Sequence, residues 1–356
     1  MTIFITGGAG FIGSNFVHSW FENNNEKIIN LDLLTYAGNL SNLDFFKQDS
    51  RHIFIQGNIA DKEIVSKVFT KFNPRAIINF AAESHVDRSI DSPEDFINTN
   101  IYGTFNLLNC TKEFLKKTNQ LNKKDFRFLH VSTDEVFGSL KKTELPFTED
   151  NNFLPNSPYS ASKASSDHLV RSFNKTYDIP TIITHCSNNY GPYQFPEKLI
   201  PLVINNALKH KSLPLYGDGL NIRDWLYVKD HCSALIRVLN NGRIGETYNI
   251  GGNNEKTNRE IIYIICDMLD EIRPINSKSS LSSYKNLIKY VKDRPGHDRR
   301  YAINSDKLMN ELNWKPNETF LTGIKKTIDW YLSNQKWINN IEEGSYKEWI
   351  SKQYCN

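Results

Sequence analysis

The chain has 356 residues, a formal net charge of +3 and a sequence pI near 8.4, with 39% hydrophobic and 23% charged residues and a mean hydropathy of −0.50. That balance fits one large or two ordinary soluble domains with ample core and is too mildly basic for a nucleic-acid binder. No apolar run approaches the ~18 residues that span a bilayer, and Cys110, Cys186, Cys232, Cys266 and Cys355 are scattered without a CxxC pair, so no metal site is expected and the thiols should be reduced in a cytoplasmic protein.

The opening "MTIFITGGAG" enters a strand at residues 3–5, with no basic segment or long apolar run before it, so export is not expected. "ITGGAGFIGS" then places Gly7, Gly10 and Gly13 between that strand and an amphipathic stretch, residues 11–21. A glycine pattern alone marks only a turn. Between a strand and a helix it lets the backbone approach a pyrophosphate, which the free amides at the helix start can bind. A second strand, 28–31, ends in "NLDLLTYAGN", and Asp32 lies nineteen residues beyond Gly13. A carboxylate there can hold a ribose 2′-hydroxyl and repel a 2′-phosphate, so NAD is expected rather than NADP.

Residues 53–55, 76–80, 126–131 and 181–184 repeat the strand pattern with helical segments between most of them. The expected fold is therefore α/β, a doubly wound, Rossmann-like parallel sheet. In "DSPEDFINTNIYGTFNLLNCTKEFL", Ser92 suits a helix N-cap and Pro93 the first helical position, and "NSPYSASKASSDHLVRSF" opens the same way with Ser157 and Pro158.

The fifth of these strands runs into "STDEVFGS", carrying apolar residues straight into Thr133, Asp134 and Glu135. Adjacent carboxylates at a strand end are usually a solvated turn, since desolvating them is costly unless they are paired or at work. In a continued strand the two would point to opposite faces, so joint action on one ligand requires the chain to leave strand geometry near Thr133. "SPYSASK" puts Tyr159 and Lys163 one helical turn apart. A tyrosine acting as a base near neutrality must have its pKa of about 10 lowered by roughly 3, about 4 kcal/mol. A nearby ammonium works in that direction, so after a dinucleotide-binding half the pair reads as a hydride-transfer constellation.

Beyond residue 190 the texture changes to proline-rich loops and shorter elements. We expect residues 1–187 to form the NAD-binding domain, with 225–250 rejoining it, and residues 188–224 and 251–356 to form a smaller lobe.

"TGGAGFIG", "AAESHVDRSI", "STDEVFG", "SPYSASKASSDHLVR", "SNNYGPYQFPEKLIP", "GDGLNIRDWLYVKDH", "ETYNIGG" and "DRPGHDRRYAI" span nearly the whole chain. The chain resembles the extended short-chain dehydrogenase/reductase superfamily and, within it, the nucleotide-sugar dehydratases. That resemblance implies bound NAD, dTDP-glucose as substrate, a homodimer, and no nucleic-acid or membrane partner. It implies a lyase that oxidises the sugar at C4, eliminates water across C5–C6 and returns hydride to C6. In that assignment Glu135 is the base at C5, Asp134 the acid at the C6 hydroxyl, and Tyr159, helped by Lys163 and Thr133, the group that deprotonates the C4 hydroxyl. The cofactor contacts carried over are Gly7, Gly10, Phe11, Ile12, Gly13, Asp32, Leu33, Leu34, Thr35, Asn58, Ile59, Ala81, Ala82, Ser84, Thr99, Tyr159, Lys163 and Asn189. Those for the substrate, in the smaller lobe and at its border, are Ser84, Thr133, Asn188, Glu197, Lys198, Leu213, Pro214, Leu215, Tyr216, Arg223, Asn258, Arg294 and His297. Arginine's fork suits the diphosphate, with Arg223 first and Arg299 and Arg300 more suited to bracing the lobe. His85 fits a structural role at least as well as a catalytic one. Asn58 stands where relatives commonly carry an aspartate facing the adenine amino group, and the segment between Gly138 and Pro146 is short. A C4 epimerase or decarboxylase would share the fold, NAD and the Tyr–Lys pair but has no need of an acid and base for elimination. A non-catalytic dinucleotide-binding regulator would need neither Tyr159 nor Lys163.

Overall fold

A computed structural model describes residues 1–118, 126–276, 281–293 and 295–342. Arg294 and Cys355 lie outside them. Strand β1 (Thr2–Thr6), buried after its first residue, turns through the glycines into α1 (Phe11–Asn23). Then come β2 (Lys27–Asp32), β3 (His52–Gln56), α2 (Lys62–Phe72) and β4 (Ala76–Asn79). Asp61 starts α2 by accepting from the amides of Glu63 and Ile64, and Asn73 closes it in a left-handed conformation at φ 43°. Helices α3 (Val86–Asp91) and α4 (Pro93–Phe96) lead through a π-helical turn, Ile97–Gly103, into α5 (Thr104–Lys117). Pro93 does occupy the first turn of α4, whereas Ser92 makes no side-chain cap bond.

Strand β5 (Arg127–Thr133) is followed by α6 (Pro158–Tyr177) and β6 (Thr181–Cys186). Ser157 and Ser160 form a reciprocal capping box at the start of α6. The chain continues through β7 (Asn188–Tyr190), α7 (Leu199–Leu208), β8 (Leu213–Tyr216), β9 (Ile222–Tyr227), α8 (Val228–Asn241) and β10 (Thr247–Ile250). It closes with β11 (Glu255–Thr257), α9 (Asn258–Ile272), β12 (Ile288–Val291), β13 (Arg300–Tyr301), α10 (Asp306–Leu312), α11 (Phe320–Ser333) and α12 (Gln335–Glu342).

Seven parallel strands make one sheet in the order β10-β6-β5-β4-β1-β2-β3. Both faces are covered, so its central strands are almost wholly buried and mostly apolar. On one face Ile5, Phe16, Trp20 and Ile78 pack with Cys232, Leu235 and Val238 of α8; on the other, Phe4, Val65, Leu107, Phe128 and Val170 pack together. Each fully buried side chain of this size contributes about 1.5–3 kcal/mol. Winding reverses between β1 and β4, and in such sheets the ligand crevice opens at the carboxyl ends of the strands there. A second sheet, β11-β9-β13 with β7 also on β9, and the pair β8–β12 surround a separate cluster that includes Tyr190, Trp225, Ile265 and Tyr331. Among the described residues no helix is long and apolar enough to cross a membrane.

Candidate active site

The glycine turn is built for close approach. Gly7 sits at φ +72°, where a Cβ would lie 2.6 Å from the Ala81 nitrogen; at Gly13 it would lie 2.3 Å from the Gly7 carbonyl. Asp32, at the end of β2, accepts from the amides of Ala9 (2.9 Å) and Leu34 (2.8 Å), bracing the turn against its own loop. Burial pushes its carboxyl up, and those two amides pull it back down. Gly7, Gly10, Phe11, Ile12, Gly13, Asp32, Leu33, Thr35, Asn58, Ile59, Ala81, Ala82, Ser84, Thr99 and Asn189 line one continuous cleft. Leu34 alone of the expected cofactor set does not, since it turns at φ 59° with its amide tied to Asp32. A glycine cradle at a helix start, followed by a carboxylate, fits a dinucleotide. Asn58 uses its amide oxygen to accept from Ala60 N at 2.8 Å, closing its own turn.

The same cleft runs on to Thr133, Glu135, Tyr159 and Lys163. Strand β5 stops at Thr133, and residues Asp134–Phe137 form a 3-10 turn whose first hydrogen bond runs from Glu135 N to the Thr133 hydroxyl at 3.3 Å. The chain thus leaves strand geometry at the residue where joint action of the two carboxyls requires it. Glu135 faces the cleft half-buried; Asp134 is 1% exposed and lies just behind the lining. One Asp134 oxygen is 3.4 Å from the Thr133 hydroxyl, and the other has no hydrogen-bond partner among the described residues. Burial, then Glu135 and Asp224, push the Asp134 carboxyl well above the usual carboxylate range, with Arg223 acting the other way. Two adjacent carboxyls in unlike environments are an acid–base pair in the making.

Tyr159 packs edge-on against Phe96, and burial, then Glu135, hold its hydroxyl well above 10 while Thr133 pulls it down. Lys163 is buried and donates to the Val131 carbonyl at 2.8 Å. Its desolvation lowers its pKa, against which Asp167 acts to raise it. The polypeptide alone therefore disfavours the tyrosinate, and a base role needs further positive charge beside the ring.

Several residues that the sequence reading passed over organise this site. Asn100, in the π-helical turn, exchanges hydrogen bonds with the Glu83 backbone (2.9 Å each) and donates to Ser162 at 2.8 Å, clamping the loop after β4 to α6. Irregular helical turns often mark such sites, but nothing in a single sequence announces one. His231, buried and held neutral with a pKa lowered to about 3, lies 2.9 Å from the Asn189 amide oxygen, while Asn189 donates to Ser187 O. Asn189 thus lines the cleft with both ends of its amide engaged inside the protein, whereas the Asn188 amide oxygen has no partner among the described residues.

At the far end Glu197 is buried and meets Arg88 at 3.1 Å and His85 at 3.6 Å. The Arg88 guanidinium lies 3.7 Å over the Tyr36 ring. Lys198 donates to Ser84 O at 3.2 Å. Tyr36 and Phe195 also line the cleft, unforeseen, although both stand in conspicuous aromatic strings. Arg223 lies near Asp134 and reaches the carbonyls of Ile222 and Asp298 (2.8 and 2.9 Å) with its guanidinium over Tyr301. Leu213 and Leu215 are core residues of the second cluster, because alternate side chains of β8 face inward; Pro214 and Tyr216 face the other way. His297 pairs with Asp293 at 2.6 Å and faces Tyr216, and Asn258 opens α9 with its amide on Asn221 O. These lobe residues do not line the cleft itself. Arg299 pairs with Asp218 on the surface, and buried Arg300 with Glu255 and the carbonyls of Lys141 and Glu144, a bracing role for the short 138–146 segment.

The sequence profile of the GDP-mannose 4,6 dehydratase family matches residues 4–327. The dTDP-glucose 4,6-dehydratase of Salmonella typhimurium is 53% identical over 362 residues, 99% of each chain. Among solved structures, a dTDP-glucose 4,6-dehydratase of Bacillus anthracis in complex with NAD is 48% identical with a TM-score of 0.83, covering 96% of this chain and 99% of that one. A Streptomyces venezuelae dTDP-glucose 4,6-dehydratase with NAD bound is 42% identical with a TM-score of 0.86, covering 96% and 100%.

Proposed function

We propose, from the premise that this chain belongs to the dTDP-glucose 4,6-dehydratases of the GDP-mannose 4,6 dehydratase family, that it converts dTDP-glucose to dTDP-4-keto-6-deoxyglucose. The observation that carries this reading is the turn at Asp134–Phe137, which sets a buried carboxyl, its pKa pushed up by burial, beside a cleft-facing one next to Tyr159. A C4 epimerase has no elimination step for such a pair to serve.

Sugar C4 is oxidised, water leaves across C5–C6 and C6 is reduced. Bound in the cleft by the glycine turn and Asp32, NAD supplies a reversible hydride acceptor and a positive ring charge. Tyr159 takes the proton of the C4 hydroxyl, with Thr133 as hydrogen-bond partner and Lys163 as the fixed cation one turn away. The resulting ketone acidifies the C5 proton, which passes to Glu135. Asp134, neutral because it is buried among other carboxyls, gives its proton to the departing C6 hydroxyl. Asn188, Glu197 and Lys198 are assigned to the substrate from their places in the cleft, and Arg223 from its place beside Asp134.

Incubation with dTDP-glucose deuterated at C4 tests the reading. Deuterium on C6 of a 4-keto-6-deoxy product, with one water lost, is expected; deuterium retained at C4 of an epimerised sugar overturns it. A cytoplasmic homodimer is part of the same reading. It is supported by free buried thiols and by exposed Ile90, Ile97, Tyr102 and Phe105 along residues 86–117, and light scattering on the purified protein tests the dimer.

A further inference from the structure

Behind Tyr159 and Lys163 lies a buried polar cluster that the reaction as written leaves unused. Asp167, one turn beyond Lys163 on α6, is 1% exposed. Its Oδ2 accepts from the Ser132 hydroxyl at 2.8 Å and lies 3.0 Å from His185 Nε2; its Oδ1 lies 3.5 Å from His130 Nε2. His130 Nδ1 in turn is 3.2 Å from the Asn79 amide nitrogen, and the Asn79 oxygen accepts from Thr6 at 2.6 Å. Ser132 and His185 are register partners across β5 and β6. Four adjacent strands and α6 thus contribute polar side chains to one patch of a sheet face where hydrocarbon would pack at less desolvation cost.

Lys163 explains the arrangement. It is 3% exposed, its ammonium donates to the Val131 carbonyl of β5, and the titratable groups that act on it are Asp167 from its own helix, Cys186 from β6 and His130 from β5. Burial pushes the Cys186 thiol up to about 12 and lowers His130 to about 3, so both are neutral near pH 7. Asp167 is the carboxylate these elements bring to the buried ammonium. Resting on the dehydratase reading, we propose that Asp167 is a positioning residue: clamped by Ser132 and His185 one turn beyond Lys163, it fixes a carboxylate near the buried ammonium without a direct ion pair, so that Lys163 stays charged one turn from Tyr159.

The test compares kcat against pH for the NAD-loaded parent and Asp167→Asn on dTDP-glucose. Without the carboxylate the ammonium gives up its proton more readily. The basic limb of the profile is therefore expected to move toward acid by about one pH unit, within the 1–3 that a close charge typically moves a pKa. A merely structural Asp167 lowers the yield of folded protein and leaves the limb where it was, which overturns the proposal. A melting cycle decides the matter without turnover. Asp167→Asn takes the carboxylate from beside the buried ammonium, whereas Lys163→Met leaves Asp167 still held by Ser132 and His185, so the double variant is expected to melt above Asp167→Asn. A double variant that melts no higher than Asp167→Asn, or that is no better folded than a non-folding Asp167→Asn, overturns the proposal. The dehydratase reading fails separately, on absence of parental turnover, and the melting cycle still decides the role of Asp167.

Discussion

Replacing Asp134 by asparagine separates its chemistry from its place in the fold. The side chain is 1% exposed, and burial, then Glu135 and Asp224, push its carboxyl well above the usual carboxylate range, which favours the protonated form. Asparagine is then a neutral replacement of nearly the same shape, and the Thr133 hydroxyl, 3.4 Å away, can donate to it as it does to the acid. Stability is expected to change by less than about 1 kcal/mol. The amide cannot donate the proton that the leaving hydroxyl needs. Loss of a general acid typically slows a reaction about 10²–10⁴-fold, or ~3–5 kcal/mol of barrier. The assay pairs kcat for 4-keto product with a thermal melt, and a run in deuterated water follows C5 of the recovered sugar. Glu135 still exchanges the C5 proton in the variant, so recovered substrate should carry deuterium at C5 while dehydration stalls. The opposing picture has an ionised Asp134 paired with Arg223, and breaking a buried pair costs about 3–5 kcal/mol. A melt lowered by that much, or a kcat equal to the parent's, refutes the reasoning.

Tyr159→Phe removes only the hydroxyl from a ring packed on Phe96. It should leave the melt within about 1 kcal/mol of the parent while lowering kcat at least about 10²-fold, with no C5 exchange because no ketone forms. Gly13→Ala puts a Cβ 2.3 Å from the Gly7 carbonyl, a backbone contact that cannot yield cheaply. It should cost about 1–3 kcal/mol of stability and weaken NAD binding in a calorimetric titration. The buried imidazoles of His130 and His231 are each lowered to about 3, below an unfolded value near 6.5. Their contribution is complete above the unfolded value and is lost as pH falls from there toward 3, about 1.4 kcal/mol per pH unit for each. Urea midpoints should fall over that window, and His231→Gln should flatten the slope; an unchanged slope counts against a neutral buried His231.

What could be read along the chain is what local geometry decides. Gly7, Gly10 and Gly13 follow a strand and open a helix, and Asp32 closes the next strand, so the turn, the helix start and the carboxylate come from neighbours in sequence. Tyr159 and Lys163 are brought together by one helical turn. The neighbourhood of Asp134–Glu135 was half legible: two carboxyls ending an apolar strand raise the question, and the turn at Thr133 answers it. How far the Asp134 carboxyl is pushed up depends on its burial, then on Glu135 and on Asp224 and Arg223 from β9, some ninety residues away. The Asn100 clamp, the His231 hold on Asn189 and the carboxylate at Asp167 also depend on side chains from separate strands and helices meeting in space. For Leu213 and Leu215 strand alternation sends the side chains into the core, so a part in binding the substrate would fall to their backbone. Short-range order follows from backbone periodicity, which one sequence displays. The protonation states of the buried groups follow from desolvation and from charges delivered by distant segments, and only the folded chain brings those together.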